Sequence, residues 1–373
     1  MSRWPTVRIE DCAEIVSGAT PSTSESAYWD GDICWATPKD LSDLEGAYIS
    51  DTPRKITHSG LQSCAATVLP PDSVLFSSRA PIGHVAINAV PMATNQGFKS
   101  FVPNQERIHT KFLYHWLRWN RPYLESLGNG ATFKEVSKAV VARIEVPLPP
   151  LPEQRRIAEI LDKADALRAK RRAAIAQLDT LTQSVFLDMF GDPRRMGSTG
   201  RTPTKPTSLG ALTRIRTGKL DANAADEDGS YPFFTCAVEP LRINTPAFDC
   251  KAVLVAGNGD LNVKYYEGKF NAYQRTYVIE SLDESALVPQ FLYAFLDLYM
   301  SELRKQAIGG VIKYIKLPYL TDAVVQLPSE EWQREFTRRM ATGRTLRTIH
   351  LASLAELDAL FASLQHRAFR SEL

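Results

Sequence analysis

Two long segments of the chain carry apolar residues at intervals of three and four, separated by charged and polar positions. The first runs from Ile157 to Val185 and the second from Phe336 to Leu364. Pro152 suits the first turn of a helix, where its missing N–H has no intrahelical partner to lose. Since neither stripe could be buried against a small domain alone, the pattern predicts two long helices packed as an antiparallel coiled coil.

The segments before each helix have a different pattern, with short alternating or β-branched runs between turn residues. Examples are DSVLFSS and HVAINAV before the first helix, and KAVLVAG and RTYVIE before the second. Such runs, bounded by Gly, Pro, Asn and Asp, predict short strands. A shorter helix follows them at KFLYHWLRWNRPYLESL and at PQFLYAFLDLYMSELRKQ. Each segment is therefore predicted to be a β-rich α+β domain.

The two halves of the chain repeat one another. At an offset of 179 residues, FLYHWLR lies over FLYAFLD, Gln154 over Gln333, and Lys134 over Lys313. A tandem duplication of this kind predicts a pseudo-twofold architecture of two globular domains and two long helices. The predicted segments are a domain at 1–150, a helix at 151–191, a linker at 192–205, a domain at 206–328 and a helix at 329–373.

Composition and charge narrow the class of protein. Hydrophobic residues make up 44% and charged residues 23%, as in ordinary soluble globular proteins. Residues 1–150 hold 14 basic and 15 acidic side chains, and residues 206–328 hold 12 basic and 14 acidic ones. Neither segment has a net positive charge, so binding of a nucleic acid would depend on local basic patches. The five cysteines form no CxxC motif, and no apolar run resembles a signal peptide or a membrane span. A cytoplasmic protein is expected.

Motifs for catalysis cannot be assembled into a site. NRPY at 120–123 superficially resembles the NPPY of adenine methyltransferases, but no GxGxxG unit accompanies it to hold S-adenosylmethionine. GNGA and GNGD lack the Lys-Ser/Thr of a phosphate-binding loop, and the six histidines form no HxxxH pair. We therefore expect a non-catalytic protein without a metal site.

The most specific motif lies where each long helix begins. PLPPLPEQRRIAEIL at 147–161 has a partly eroded copy, QLPSEEWQREFTRRM, at 326–340, and the first helix ends in SVFLDMFGDP. With FLYHWL and GATFKEV in the same tandem layout, these motifs resemble the specificity subunit of Type I restriction-modification systems. The resemblance covers the whole chain.

The resemblance implies two target-recognition domains, one before each long helix, that each read one half of a bipartite double-stranded DNA site. It implies that the antiparallel helices set the half-site spacing and dock two modification (methyltransferase) subunits, which restriction subunits then join. S-adenosylmethionine, ATP and Mg²⁺ would bind to those partner subunits, and this chain would hold no cofactor. The alternative is a coiled-coil assembly scaffold whose globular halves bind protein.

Candidate DNA contacts are expected in the loops of the β-rich halves, because Lys and Arg hold phosphates while Arg, Lys, Asn and Gln read base edges. Arg79 falls on Asn258 in the repeat. For each candidate, an ordinary solvated surface residue is the alternative. The first-half candidates are Thr20, Lys39, Arg79, Asn95, Gln96, Lys99, Thr132 and Lys134. The second-half candidates are Lys219, Asn258, Asp260, Lys264, Gln274, Arg275 and Lys313.

Some apolar residues of the long helices lie off the main stripe. They predict a second apolar face that would accept helices of a partner protein. Burial in the chain's own core is the alternative for the stripe itself. The candidates for partner binding are Leu161, Phe186, Leu187, Leu351 and Phe361.

Overall fold

The computed structural model describes residues 4–44, 46–79, 81–129, 134–194 and 200–373. The chain divides into two compact units, of which unit 1 comprises Met1–Arg172 with Ala352–Leu373 and unit 2 comprises Ala173–Leu351. Each unit therefore contains one globular half, the beginning of the long helix that follows it, and the end of the other long helix.

Unit 1 is built on short strands in three sheets. A five-stranded sheet has the order β2-β9-β6-β7-β4, a three-stranded sheet has the order β5-β3-β8, and β1 pairs with β10. The strands are Thr6–Arg8 (β1), Ala13–Ser17 (β2), Trp29–Ala36 (β3), Tyr48–Ile49 (β4), Lys55–Ile56 (β5), Val74–Phe76 (β6), Val85–Asn88 (β7), Met92–Thr94 (β8), Lys99–Pro103 (β9) and Glu145–Pro147 (β10).

Helices connect and cover these sheets. In the part of the first half that the structure describes, five helices are short, and the sixth is the first long helix, which has 40 residues. The helices are Pro38–Ser42 (α1), His58–Gln62 (α2), Thr110–Trp119 (α3), Arg121–Ser126 (α4), Lys138–Ala142 (α5) and Leu151–Phe190 (α6). Short 3-10 turns lie at Ile9–Asp11 and Ser26–Tyr28.

Unit 2 is built on one six-stranded sheet with the order β12-β17-β15-β16-β13-β14, and β11 pairs separately with β18. Its strands are Thr204–Ser208 (β11), Thr213–Thr217 (β12), Tyr231–Phe234 (β13), Leu241–Ile243 (β14), Phe248–Ala256 (β15), Val263–Ala272 (β16), Thr276–Ser281 (β17) and Val324–Pro328 (β18). Its helices are Leu209–Leu212 (α7), Pro289–Gln306 (α8), Leu317–Thr321 (α9) and the beginning of Glu330–Phe369 (α10). A 3-10 turn lies at Ala222–Ala224.

Each globular half is closed by its own first and last strands. In unit 1 the antiparallel pair of β1 and β10 sets Thr6 opposite Pro147. In unit 2 the antiparallel pair of β11 and β18 sets Thr204 opposite Pro328. The long helix begins within a few residues of this pair in both halves. The strand pair therefore determines where each helix leaves its half.

A buried glutamine joins this closure to the helix in unit 1. Gln154, in the first turn of α6, has no solvent exposure. Its Oε1 accepts a hydrogen bond from the backbone N of His109 at 2.8 Å. Its Nε2 donates to the carbonyl oxygens of Arg107 at 2.9 Å and Pro149 at 2.8 Å. Because His109 is the N-cap residue of α3, one amide links the starts of two helices.

Gln333 does the same in unit 2. Its side chain is also fully buried, and its Oε1 accepts from the backbone N of Val288, the N-cap residue of α8, at 2.8 Å. Its Nε2 donates to the carbonyl oxygens of Ala286 and Pro328, each at 2.9 Å. All three partners lie 179 residues after those of Gln154, so the repeat extends to individual hydrogen bonds.

The long helices pack against each other in antiparallel orientation within each unit. In unit 1, Nε of Arg168 on α6 lies 2.6 Å from Oδ1 of Asp358 on α10. In unit 2, Nε of Arg347 on α10 lies 2.5 Å from Oδ1 of Asp179 on α6. The second pair repeats the first with the roles of the helices exchanged. The predicted fold class is confirmed: two tandem β-rich α+β domains with two long antiparallel helices and a pseudo-twofold repeat.

The end of each long helix completes the core of the unit that contains it. Phe369, near the end of α10, packs on Phe112 of α3 with ring centroids 5.6 Å apart. Phe190, at the end of α6, packs on Phe291 of α8 with centroids 5.1 Å apart.

Among the described residues, no helix has the length and apolar character needed to cross a bilayer.

Ion pairs join α3 to α6 in unit 1. Asp162 accepts from Nζ of Lys111 at 2.6 Å and lies 2.7 Å from Nε2 of the buried His115. Burial opposes ionisation of Asp162, but hydrogen bonds from His115 and Lys111 outweigh it and hold the pKa of its carboxyl below the usual value. Arg118 likewise contacts Asp165, at 2.8 Å. The charged faces of the two helices are therefore matched.

The structure corrects three predicted partner contacts. Leu161, Phe186 and Phe361 are buried, so they are unavailable to a partner. Phe186 stacks on Phe291, with centroids 5.4 Å apart, while the guanidinium of Arg168 lies 4.3 Å from the ring centroid of Phe361. The physical reason is that each long helix buries two faces, one against the other helix and one against a globular half. Leu187 is half-buried on the core of unit 2, and Leu351 is exposed.

Replacing the junction glutamines should destabilise the protein. We expect Gln154→Ala or Gln333→Ala to lower the free energy of unfolding by about 2–4 kcal/mol, because a buried N–H and two buried carbonyls lose their partner. Urea unfolding followed by circular dichroism measures the change. The control is Gln177→Ala, which truncates an exposed glutamine on α6. A loss no larger than that of the control would contradict the role assigned to the junction.

The pairing of Asp162 predicts a specific pH dependence. Its pKa is lowered on folding, so its contribution to stability is complete above the unfolded pKa of about 3.9 and disappears as pH falls through the folded value. We expect Asp162→Asn to lose stability at pH 7 and to show a shallower loss between pH 5 and pH 3 than the parent protein. Urea unfolding at each pH tests this, with exposed Asp43→Asn as control. Parallel curves for parent and Asp162→Asn would refute the assignment.

Candidate DNA-binding loops

Three segments of unit 1 meet beyond the end of β6. We call residues 77–79, 94–98 and 134–136 loop cluster 1. The backbone N of Ser78 donates to the carbonyl of Gly97 at 2.8 Å, and the N of Val136 donates to the carbonyl of Ser78 at 2.8 Å. Arg79 also forms an isolated β-bridge with Glu135. The segment 77–79 is therefore held between the other two by backbone hydrogen bonds.

A groove of about 460 Å³ lies at loop cluster 1. Its lining residues are Thr37, Pro38, Lys39, Ser42, Arg79, Pro81, Asn95, Gln96 and Gly97. Four of the candidates from the sequence are thus brought together from three separate parts of the chain. Their amide, ammonium and guanidinium groups are the types that read base edges and hold phosphates.

The walls of this groove are locally ordered. Thr37 donates from its N and its Oγ1 to Oδ2 of Asp40, at 2.7 and 2.8 Å, which holds the start of α1. Oδ1 of Asn95 accepts from the N of Gly97 at 2.9 Å and closes a tight turn. Next to this turn, Oγ1 of Thr20 donates to Oε1 of the exposed Gln96. Binding there would require little ordering of the backbone.

The charged candidates near this groove divide into two groups. Lys39 and Lys134 are exposed. Lys99 is buried in β9, and its Nζ lies 3.4 Å from Oε1 of Glu135. The prediction that Lys99 contacts DNA directly is therefore corrected: its ammonium is committed to Glu135 and supports the cluster from within. Thr132 lies outside the described residues.

The same arrangement occurs in unit 2. We call residues 257–260, 273–276 and 308–315 loop cluster 2. The N of Gly257 donates to the carbonyl of Arg275 at 2.7 Å, and the N of Ile315 donates to the carbonyl of Gly257 at 2.9 Å. The N of Gly259 donates to the carbonyl of Lys313 at 2.9 Å. Gly259 has a φ of +70°, a left-handed conformation that suits glycine.

Three backbone contacts repeat between the two halves at the 179-residue offset. The bridge between Arg79 and Glu135 matches the bridge between Asn258 and Tyr314, and the bridge between Asn129 and Glu135 matches that between Ile308 and Tyr314. The bond from Val136 to Ser78 matches that from Ile315 to Gly257. The backbone frame is thus repeated, while the side chains that it presents differ.

Most candidates of the second half belong to loop cluster 2 or adjoin it. Asp260, Arg275 and Lys313 are exposed on its loops. Oδ1 of Asn258 accepts from Sγ of Cys236 at 2.8 Å, and Nε2 of Gln274 donates to Oδ2 of Asp221 at 3.1 Å.

The two remaining lysines lie beside the cluster. Lys219 is exposed and precedes Leu220, whose carbonyl accepts from the N of Gln274 at 2.9 Å. Lys264 is half-buried and donates from Nζ to Asn262. Burial lowers the pKa of Lys264 below the usual value.

Glu135 belongs to loop cluster 1 and Cys236 contacts loop cluster 2, but neither was identified from the sequence. Glu135 connects Arg79 and Lys99, and Cys236 anchors Asn258. Glu135 directly follows the candidate Lys134, whereas no local pattern marks Cys236. Among the described residues, no three His, Cys, Asp or Glu side chains come together as ligands for a metal ion.

Fold and loops together define a class: an internally duplicated α+β protein in which backbone hydrogen bonds hold a three-loop cluster in each half. A family model described as Type I restriction modification DNA specificity domain matches residues 1–177 and 204–357. The chain belongs to this family.

Curated relatives are similar over part of their length. The MjaIX specificity subunit of Methanocaldococcus jannaschii is 36% identical over 191 residues, which are 51% of this chain and 44% of the relative. The EcoDI specificity subunit of Escherichia coli is 47% identical over 147 residues, 39% of this chain and 32% of the relative. The chain therefore spans less than half the length of these relatives in the matched regions.

Solved structures share the fold over nearly the whole chain. The Type I restriction-modification S subunit from M. genitalium has a TM-score of 0.61 at 15% identity, with 99% of this chain and 96% of that chain covered. A chain from a structural study of assembly and conformational transition in the type I R-M system has a TM-score of 0.63 at 18% identity, with 99% and 98% covered. At these identities the likeness concerns the fold alone.

Arg79→Ala and Lys313→Ala should have different effects on DNA binding. We expect Arg79→Ala to relax base preference in one half-site, because Arg reads base edges with two donors. We expect Lys313→Ala to weaken binding to all sequences and to reduce the slope of log K against log salt by about 1, because a phosphate contact is lost. Fluorescence anisotropy on duplexes of different sequence and salt concentration separates the two.

Matched variants control for these changes. Arg79→Lys keeps the positive charge but loses the planar pair of donors, so it should retain salt dependence and lose base preference. Lys305→Ala removes an exposed lysine whose Nζ pairs with Glu302 at 2.8 Å, and it should leave binding unchanged. Parent-like affinity and preference in both test variants would rule out these two assignments.

Proposed function

We propose that this chain is the DNA-specificity subunit of a Type I restriction-modification complex. Each loop cluster would read one half of a bipartite double-stranded DNA site, and the long helices would connect the two globular halves that carry the clusters. The chain would be non-catalytic and cytoplasmic. It would determine the DNA sequence on which the catalytic subunits of the complex act.

The observation that carries this proposal is the repeated loop frame with unlike side chains. Arg79 in loop cluster 1 is replaced by Asn258 in loop cluster 2, and Glu135 is replaced by Tyr314. Arg pairs best with guanine and Asn with adenine in the major groove. Two copies of one frame that present different groups are suited to two different half-sites, which together make an asymmetric bipartite sequence.

The charge distribution supports local recognition rather than general attraction to a polyanion. The net charge is only +2, so the long-range field is weak. Exposed cations are nevertheless found at both clusters: Lys134 in the first, with Lys39 in the adjoining groove, and Arg275 and Lys313 in the second. In a specificity subunit of this kind, much of the affinity for DNA would come from partner subunits that bind the same DNA.

Exposed apolar residues on α10 support the docking of helices from a modification subunit. Leu346, Ile349 and Leu351 are exposed on this helix within unit 2. These residues are 41–57% exposed, so burying the rest of each against a partner would contribute on the order of 1 kcal/mol. Two modification subunits would dock in this way, and restriction subunits would join them. S-adenosylmethionine, ATP and Mg²⁺ would bind to those partners.

Selection of bound DNA tests the function directly. The chain is co-expressed with its modification subunit, and the complex is used to select from random duplexes. We expect a sequence with two defined parts and a spacer of constant length, and Arg79→Ala should relax only one part. The modification subunit alone is the control.

Two outcomes would favour other functions. A complex that assembles but enriches no bipartite sequence would reject the proposal. If that complex instead retained a further protein, and substitutions in the loop clusters of the full chain released it, the coiled-coil scaffold would become the better explanation.

A further inference from the structure

Loop cluster 2 carries two apolar side chains at its outer edge that no other role explains. Val311 is 102% exposed and Ile312 is 61% exposed. Isolated exposed apolar residues are common, whereas contiguous exposed apolar surface marks interaction sites, and here two exposed apolar residues are adjacent on one loop.

These residues form the tip of a short hairpin-like loop that is closed by a single β-bridge. Ile308 and Tyr314 exchange two backbone hydrogen bonds, of 3.0 and 2.8 Å, and enclose the tip between them. Gly309 has a φ of +118°, and a Cβ there would lie 2.4 Å from the carbonyl oxygen of Ile312. The turn therefore requires glycine at this position, and its backbone holds Ile312 near the end of the loop.

The hairpin is anchored to the rest of loop cluster 2. The carbonyl of Lys313 accepts from the N of Gly259 at 2.9 Å, and Tyr314 bridges to Asn258. The apolar tip is thus directly followed by the candidate phosphate contact Lys313 and held beside the candidate base reader Asn258. Its placement ties it to the proposed DNA-reading surface rather than to the helices.

The geometry suggests which apolar group it meets. The major groove of B-DNA admits elements as wide as a two-stranded β-ribbon, and this loop is two chain segments wide at its single β-bridge. The apolar group that a base pair presents there is the 5-methyl of thymine. In the sequence repeat Ile312 lies over Phe133, so an apolar residue precedes the lysine in both copies.

We propose that Val311 and Ile312 read the 5-methyl group of a thymine in the major groove of one half-site. This inference rests on the proposed function and adds to it a contact that discriminates without hydrogen bonds. Such a contact would make A·T favourable over the other pairs at that position, since the methyl group is then removed from water.

Replacing thymine by deoxyuridine tests the contact, because only the methyl group is lost. Each thymine of the selected site is replaced in turn, on both strands, and binding by the complex with the modification subunit is measured. We expect the parent complex to lose affinity about three- to tenfold at one or two positions. The double variant Val311→Ser/Ile312→Ser should bind thymine and deoxyuridine equally at those positions.

The control is Leu282→Ser, which replaces another exposed apolar residue of unit 2 outside loop cluster 2 and should retain the discrimination. The inference is overturned if no deoxyuridine substitution affects the parent, if the double variant still discriminates, or if neither half-site contains an A·T pair. It is also overturned if the double variant no longer co-purifies with the modification subunit, since the tip would then be a protein contact.

Failure of this inference can be told apart from failure of the proposed function. A complex that selects a bipartite sequence but ignores the thymine methyl defeats only the inference. An assembled complex that selects no sequence defeats both.

Discussion

The arrangement of each half depends on one buried side-chain amide at the start of a long helix. Gln154 and Gln333 each satisfy a backbone N–H at the N-cap of a shorter helix and two carbonyl oxygens of the chain around it. A buried donor or acceptor without a partner is costly, so this amide strongly restricts the angle at which the long helix can leave. The prolines that precede it keep the chain out of helical geometry until that point.

From these junctions, each long helix runs on into the core of the other unit. The end of α10 packs on α3 in unit 1, and the end of α6 packs on α8 in unit 2. A globular half is therefore incomplete without residues that are distant in sequence. This explains why both helices bury two faces, and why apolar residues off the coiled-coil stripe, such as Leu161 and Phe361, belong to the core rather than to a partner's binding surface.

The same repetition separates framework from recognition. Backbone hydrogen bonds hold the loops of both clusters in matching positions, so the side chains at those positions can differ without loss of the frame. Duplication followed by divergence at the loops therefore places unlike side chains on two copies of one scaffold. Under the proposed function, the two unlike clusters would combine two short DNA sequences into one recognition site.

The sequence alone determined the duplication, the long helices and the loops that hold polar candidates, because periodicity, turn residues and a constant offset are local properties of the chain. Arg79 and Asn258, or Lys134 and Lys313, are matched by that offset without any knowledge of how the chain folds. Only the tertiary structure decided that Lys99 is buried against Glu135, that Phe186 and Phe361 are core residues, and that Val311 projects into solvent. Burial depends on which distant segments pack together, and a helical stripe looks the same in sequence whether its own chain or a partner covers it.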